Sequence, residues 1–189
     1  MWRWRGLPPA IIAAVAVPLA LAFGFQTPAG PPAQQDVRAI RRHLAQEVKH
    51  ELLLLPYYSL FDNLEFEIQG LDTVVLSGQV VRPSLKNEAE SLIRRLEGVR
   101  KVVDKIEVLP FSAEDQRLRT AEYHAIYSKP GLEKYALRAL QPIHIILKNG
   151  EVTLVGSVAD EADRDLAGVT AGEVPGIQSV TNKLTVEVR

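Results

Sequence analysis

The chain has 189 residues, with 22 basic against 23 acidic side chains and 47% apolar residues. That length suits one domain or two small ones, and a charge near zero gives no general attraction to nucleic acid. There are no cysteines, which excludes disulfides, thiol nucleophiles and zinc–thiolate sites.

The first six residues carry Arg3 and Arg5 and no acid, residues 7–25 are apolar apart from Gly and Pro, and Ala20-Leu21-Ala22 offers a small-x-small cleavage site. Basic, then apolar, then small is the order of a secretory signal. An uncleaved membrane helix is the alternative, because the apolar run nears bilayer-spanning length. Pro8, Pro9 and Pro18 interrupt that run and favour export with cleavage. Without a cysteine there is no lipoprotein anchor. Residues 26–35, rich in Pro, Gly, Ala and Gln, read as a flexible tether.

A first unit is expected over residues 36–110. Asp36 is placed to cap a helix, and Val37, Ile40, Leu44, Val48, Leu52 and Leu55 follow at steps of three and four, until Pro56 ends the pattern. Leu64-Glu-Phe-Glu-Ile68 alternates as a half-buried strand, Gly70 and Asp72 supply a hairpin turn, and Val74, Leu76 and Val80 return on the same face. Gly78 falls on that face, where a missing side chain lets a helix backbone come close. Pro83 opens a second helix with Leu85, Ala89, Leu92 and Leu96 on one side, Gly98 stops it, and a third strand is expected over 99–109. A strand–helix–strand connection within one sheet implies a right-handed crossover and a parallel pair.

The second unit, over residues 112–189, repeats the plan. Counting 78 positions on from Gly78 reaches Gly156, and from there the register holds: Val80 with Val158, Ala89 with Ala167, Gly98 with Gly176, Val102 with Val180, Ile106 with Leu184. So many matches at one offset mark a duplicated folding unit. Ser112-x-x-Asp115 starts its first helix, along which Leu118, Ala121, Ala125 and Tyr123, Ile126, Tyr127 make two adjoining stripes. Leu132, Tyr135, Ala136 and Ala139 suggest a short further helix before Pro142. Asn149-Gly150 then makes a type I′ turn between Ile143, Ile145, Leu147 and Val152, Leu154, Val158. A last helix over 160–174 and a strand over 177–188 complete it.

The expected fold is therefore α+β: two tandem α-β-β-α-β units, each a two-layer sandwich of two helices on a three-stranded mixed sheet. The face of the first sheet away from its helices carries Glu65, Glu67, Thr73, Ser77 and Glu107, which water can cover. The matching face of the second carries Ile146 and Val155, so that sheet is expected to be covered, most simply by the other unit.

The repeated pattern, G-x-V, a helix with a central alanine, then G-V/I-x-x-V-x-N/D-x-I/L-x-V, resembles the BON domain of exported bacterial proteins, including the OsmY-like stress proteins. Gly78, Val80, Gly98 and Ile106 carry it in one copy, and Gly156, Val158, Gly176, Asn182 and Leu184 in the other. Asp104 stands where the pattern has Asn. The resemblance implies a periplasmic cell-envelope protein, tethered to the inner membrane if the leader is retained, that associates with anionic phospholipid surfaces. A periplasmic protein-interaction or chaperone-like adaptor in envelope or osmotic stress is the alternative. The signature residues themselves are structural.

Three groups are candidate lipid contacts. Arg38, Arg41 and Arg42 sit at the start of the first helix. Arg94, Arg95, Arg100 and Lys101 cluster around the turn at Gly98 and make the stronger anion patch of the two. Tyr123, Ile126 and Tyr127 form an aromatic stripe suited either to a membrane interface or to packing between units. No catalytic, metal or cofactor site is expected: His43 and His50 lie about 10 Å apart along a helix, too far to share a metal, and no hydrolase, metalloprotease or nucleotide-binding motif occurs. No small-molecule substrate is evident, and nucleic-acid binding is not expected because no G-x-x-G loop joins two helices.

Overall fold

A computed structural model describes residues 32–138 and 140–187. The leader expected over 1–25, most of the 26–35 tether, Ala139 and Val188 lie outside the described residues. Helix α1 (Pro32–Leu53) is followed by β1 (Asn63–Gln69), β2 (Thr73–Val80), α2 (Pro83–Ile93), β3 (Lys101–Asp104) and β4 (Glu107–Val108). The second unit comprises α3 (Ala113–Tyr127), the short α4 (Glu133–Ala136), β5 (Ile143–Lys148), β6 (Glu151–Val158), α5 (Glu161–Gly172) and β7 (Ser179–Val186). Both are mixed α+β sandwiches. In each, a central strand pairs antiparallel with the strand before it and parallel with the strand after the crossover helix.

The two cores are for the most part those that the periodicity indicates, except that α2 buries Ile93 and leaves Leu92 and Leu96 half-buried, a shift of its inward face by one residue. Leu44, Val48, Leu52, Leu76, Val80, Leu85, Ala89 and Ile106 are buried in the first, and Leu118, Ile145, Leu147, Leu154, Val158, Ala167 and Leu184 in the second. Side chains of this kind stabilise by roughly 1.5–3 kcal/mol each on burial. Asn149 and Gly150 both have positive φ, as a type I′ turn demands. Ser112 caps α3 through the Asp115 N–H at 3.2 Å, and Asp160 caps α5 through the Asp163 N–H at 2.9 Å.

Four further details differ from the sequence reading. Helix α1 begins at Pro32, so Asp36 lies inside it and is not its cap, and the tether is shorter than 26–35. The third strand of the first sheet is split into β3 and β4, although its register against β2 is the same on both sides, and the Asp104 carboxylate accepts from the Ile106 N–H at 2.8 Å across the gap. The repeat glycines also serve a different neighbour. A Cβ on Gly78 would stand 2.1 Å from the Asn63 carbonyl oxygen, and one on Gly156 would stand 1.9 Å from that of Pro142. The close approach is therefore by the backbone at the start of the adjacent strand, not by a helix. Both glycines have φ above +100°, which L side chains rarely adopt. Finally, Val75 is buried although it points to the outer face of the first sheet.

Asp104 and Asn182 occupy equivalent positions and do equivalent work. Asn182 accepts from the Leu184 N–H at 3.1 Å and donates to the Arg164 carbonyl of α5 at 2.7 Å. A carboxylate cannot donate, so in the first unit Lys86, at the position matching Arg164, reaches Asp104 at 3.4 Å and the Ile106 carbonyl at 2.6 Å. Helix and strand are thus tied in both units by different chemistry.

The second sheet's outer face is covered by the first unit, as its apolar side chains indicate: Ile146 is only 6% exposed and Val155 is half-buried. A polar cleft of about 400 Å³ separates the two sheets, with Glu65, Ser77 and Glu107 on one wall and Ile146, Thr153 and Lys183 on the other. Lys148 bridges to Glu107 at 2.6 Å, and the Ile145 N–H donates to the Leu60 carbonyl at 2.7 Å. His144 Nδ1 lies 2.6 Å from the Asp62 carbonyl oxygen, with the Tyr58 ring stacked at 5.6 Å.

Replacing Gly156 by Ala is expected to cost about 3 kcal/mol, from positive φ plus collision with a strand backbone. Gly70→Ala, at positive φ but with nothing within 4 Å, should cost about 1 kcal/mol. Urea unfolding of the two variants checks this, and equal losses would refute the close-approach account.

Candidate membrane-facing surface

Helix α1 runs antiparallel to β1. Arg41 Nη2 donates to the Ile68 carbonyl at 2.8 Å, which fixes this turn of the helix beside the far end of the strand. The turns before Arg41 therefore project past the β1–β2 hairpin. Their apolar positions, expected to face the core, have nothing to pack on: Val37 is 38% and Ile40 52% exposed. Arg38, Arg41 and Arg42 stand exposed beside them, with Arg42 Nε resting 3.4 Å from the Arg38 carbonyl oxygen. Uncovered apolar side chains and guanidinium groups on one helical overhang form an amphipathic surface of the interfacial kind.

The second basic cluster is weaker than its sequence suggests. Arg94 pairs with Glu90 one turn earlier, and Arg100 lies 3.5 Å from Asp72. Arg95 lines an apolar groove between the end of α1 and α2, with Leu54, Leu55 and Leu92 as its floor. Lys101 is exposed. Two of the four charges thus have acids of the same unit beside them.

Of the aromatic stripe, Ile126 is 0% and Tyr127 5% exposed, so neither is available to a lipid. Both belong to the second core, and Tyr123 is half-buried against it, 5.2 Å from the Tyr127 ring. The Tyr127 hydroxyl donates to the Ile143 carbonyl at 2.5 Å, and burial raises its pKa well above the usual tyrosine value. Leu60 and Phe61 of the first unit pack on this same core. The stripe is therefore packing, within the second unit and against the first.

Sequence reading missed the exposed apolar residues at the other end of α1: Leu53, Leu54 and Tyr57, with Leu140 beside Leu53 around a small pocket. A signal was present, since one helical face can bury Leu52 and Leu55 of a four-leucine run and must expose the two between. It also missed the buried charges of α3, Asp115, Arg119 and Glu122. These fill the wedge between the two apolar stripes, and spacing alone places them inward.

The geometry defines a pair of α+β sandwiches docked face to face, with a cationic, partly apolar overhang. The chain belongs to the BON domain family, whose domain it matches over residues 38–110 and 132–188. The signature residues Gly78, Val80, Gly98, Gly156, Val158, Gly176 and Asn182 all lie within those two segments. Among solved structures, the chain is similar to the C-terminal domain of CdsD, a structural protein of the type III secretion system of Chlamydia trachomatis. That match has 16% identity and a TM-score of 0.27, covering 77% of this chain and 98% of that one. A second structure of CdsD matches at 15% identity and a TM-score of 0.28, over 77% of this chain and 92% of that one. Comparison with curated protein sequences gives no match.

Ile126→Ala is expected to lower stability by about 3 kcal/mol, the cost of a cavity in a closed core, while vesicle binding per folded molecule stays unchanged. Chemical denaturation and co-sedimentation with liposomes measure the two quantities. A loss of binding without a loss of stability would restore the stripe as a contact surface.

Proposed function

We propose that this BON-domain protein is a non-enzymatic, exported cell-envelope module that associates with anionic phospholipid surfaces through the first turns of α1. The observation that carries this reading is the exposure of Val37 and Ile40 beside Arg38, Arg41 and Arg42. Apolar side chains at the acyl boundary and cations at the headgroups are the two contributions that hold an interfacial helix. The helix follows directly on the basic and apolar leader of the sequence, which favours a periplasmic location near the inner membrane. Retention of the leader would add a tether beside this surface. Among the described residues no helix is long and apolar enough to cross a membrane.

The adaptor reading rests on strand edges, and the structure narrows it. The outer edge of β5 is occupied by Leu60 and by side chains of α3, whereas β7 ends its sheet without a neighbouring strand among the described residues. Capture of an extended partner segment would use β7.

Arginines near a lipid surface contribute about 1 kcal/mol each, so R38A/R41A/R42A should weaken binding to phosphatidylglycerol-containing vesicles on the order of 100-fold at low salt. Wild-type binding should fall steeply as salt is raised. Flotation assays read both effects. Undiminished binding by the triple variant, with loss on R95A/K101A, would move the site to the other patch.

A further inference from the structure

Helix α3 lies along the outer edge of β5 as a regular ladder. Asp115 accepts from the Asn149 and Gly150 N–H groups at 2.9 and 3.0 Å, Arg119 Nη2 donates to the Leu147 carbonyl at 2.8 Å, and the Tyr127 hydroxyl donates to the Ile143 carbonyl at 2.5 Å. Helical residues rise 1.5 Å and strand residues about 3.3 Å, so each helical turn advances about two strand residues. By that spacing Glu122, between Arg119 and Tyr127, falls at the level of Ile145. The Ile145 N–H points outward there, and the Leu60 carbonyl of the first unit takes it at 2.7 Å. Glu122 is 0% exposed, and neither of its carboxyl oxygens has a hydrogen-bond partner. Every other rung pairs a side chain of α3 with an edge group of β5 or of the hairpin turn that follows it. This rung holds an acceptor whose donor is already engaged.

We propose that Glu122 and the Leu60 carbonyl are alternative acceptors for the Ile145 N–H, so that docking of the first unit on β5 and ionisation of Glu122 exclude one another. In the docked form burial pushes the carboxyl from 4.5 up to about 7. In the undocked form water and the freed N–H both favour the carboxylate. The docked form thus binds the proton more tightly. Docking through this group is strongest in acid, weakens about tenfold per pH unit above the ordinary carboxylate pKa, and levels off above pH ~7, a span of ~300-fold.

Charged or titratable groups on the packed elements are Glu114, Asp115, Arg117, Arg119, Tyr123, His124 and Tyr127 of α3, Glu161, Asp163, Arg164 and Asp165 of α5, His144 and Lys148 of β5, and Tyr58, Asp62 and Glu107 of the first unit. Burial lowers the pKa of Arg119, which Asp115 and Asp62 attract, and raises that of Tyr58 to about 12, so both keep their charge state across the neutral range. His144 titrates with the opposite sign: burial lowers its pKa below 6.5, and acidification then opposes docking. Where both groups titrate, proton release by His144 on docking offsets part of the uptake by Glu122. Removing His144 isolates the contribution of Glu122.

Spin labels at Leu71→Cys and Val169→Cys, exposed sites on the two units of a cysteine-free chain, report the inter-unit distance. In full-length protein carrying H144Q, the ratio of separated to docked molecules is expected to rise up to ~300-fold between pH 4.5 and 8, and adding E122Q is expected to flatten the profile. A flat profile with H144Q alone, or an unchanged slope after adding E122Q, overturns the proposal. Carbon-13 titration of the Glu122 carboxyl in the wild-type chain gives a second reading. A midpoint near 7 supports the exclusion, and one near 4.5 overturns it.

Discussion

The outer edge of β5 sets the terms for the second unit. An edge strand leaves alternate N–H and C=O groups facing away from its sheet, and a buried group of that kind left unpaired costs about 1–3 kcal/mol. Here Tyr127 satisfies Ile143, Arg119 satisfies Leu147 and the Leu60 carbonyl satisfies Ile145. Two partners come from α3 and one from the first unit. The same accounting therefore holds the helix on its sheet and one sandwich on the other. It also explains why α3 carries Arg119 and Asp115 on its inward face. Arg119 supplies a donor where the strand offers a carbonyl, and Asp115 supplies acceptors where the hairpin offers N–H groups.

The first unit solves the same problem differently. The edge of β1 receives Arg41 at Ile68, from an exposed side chain at the end of the strand. Its outer face is lined by Glu65, Glu67 and Glu107, which water solvates, whereas the second sheet presents Ile146 and Val155. The two faces meet across a polar cleft because only one of them needs covering, and the Lys148–Glu107 bridge at its rim joins the apolar wall to the charged one. A surface pair of this kind contributes little on its own. The covering of Ile146 and the Ile145–Leu60 bond carry the association.

Much of this architecture was legible in the sequence, because a duplicated pattern reports the same core twice. Periodicity placed the buried positions, Asn149-Gly150 placed the hairpin, and Ile146 and Val155 showed which sheet needs a cover. Sequence reading failed where an outcome depends on what lies across a gap. Whether Val37 and Ile40 are buried depends on where the β1–β2 hairpin ends, and nothing in the helix itself states that. Whether Arg94 and Arg100 are free depends on Glu90 and Asp72, one a turn earlier on the same helix and the other across the sheet. Ile126 and Tyr127 have the composition of an interfacial stripe, and only the path of β5 reveals them as core. The repeat glycines were found for the right pattern and the wrong neighbour, since a strand carbonyl and a helix backbone leave the same mark on a sequence.

The overhang of α1 is the feature that packing alone does not account for. An isolated pair of helical turns is marginal in water, and these turns leave Val37 and Ile40 largely outside the core. A segment so weakly supported by the core gains little from the folded domain it belongs to. On the proposed reading an anionic lipid surface would supply that support, with acyl chains burying Val37 and Ile40 and headgroup phosphates meeting Arg38, Arg41 and Arg42. On that reading, the sandwiches are the rigid body that this cationic helix holds against the membrane.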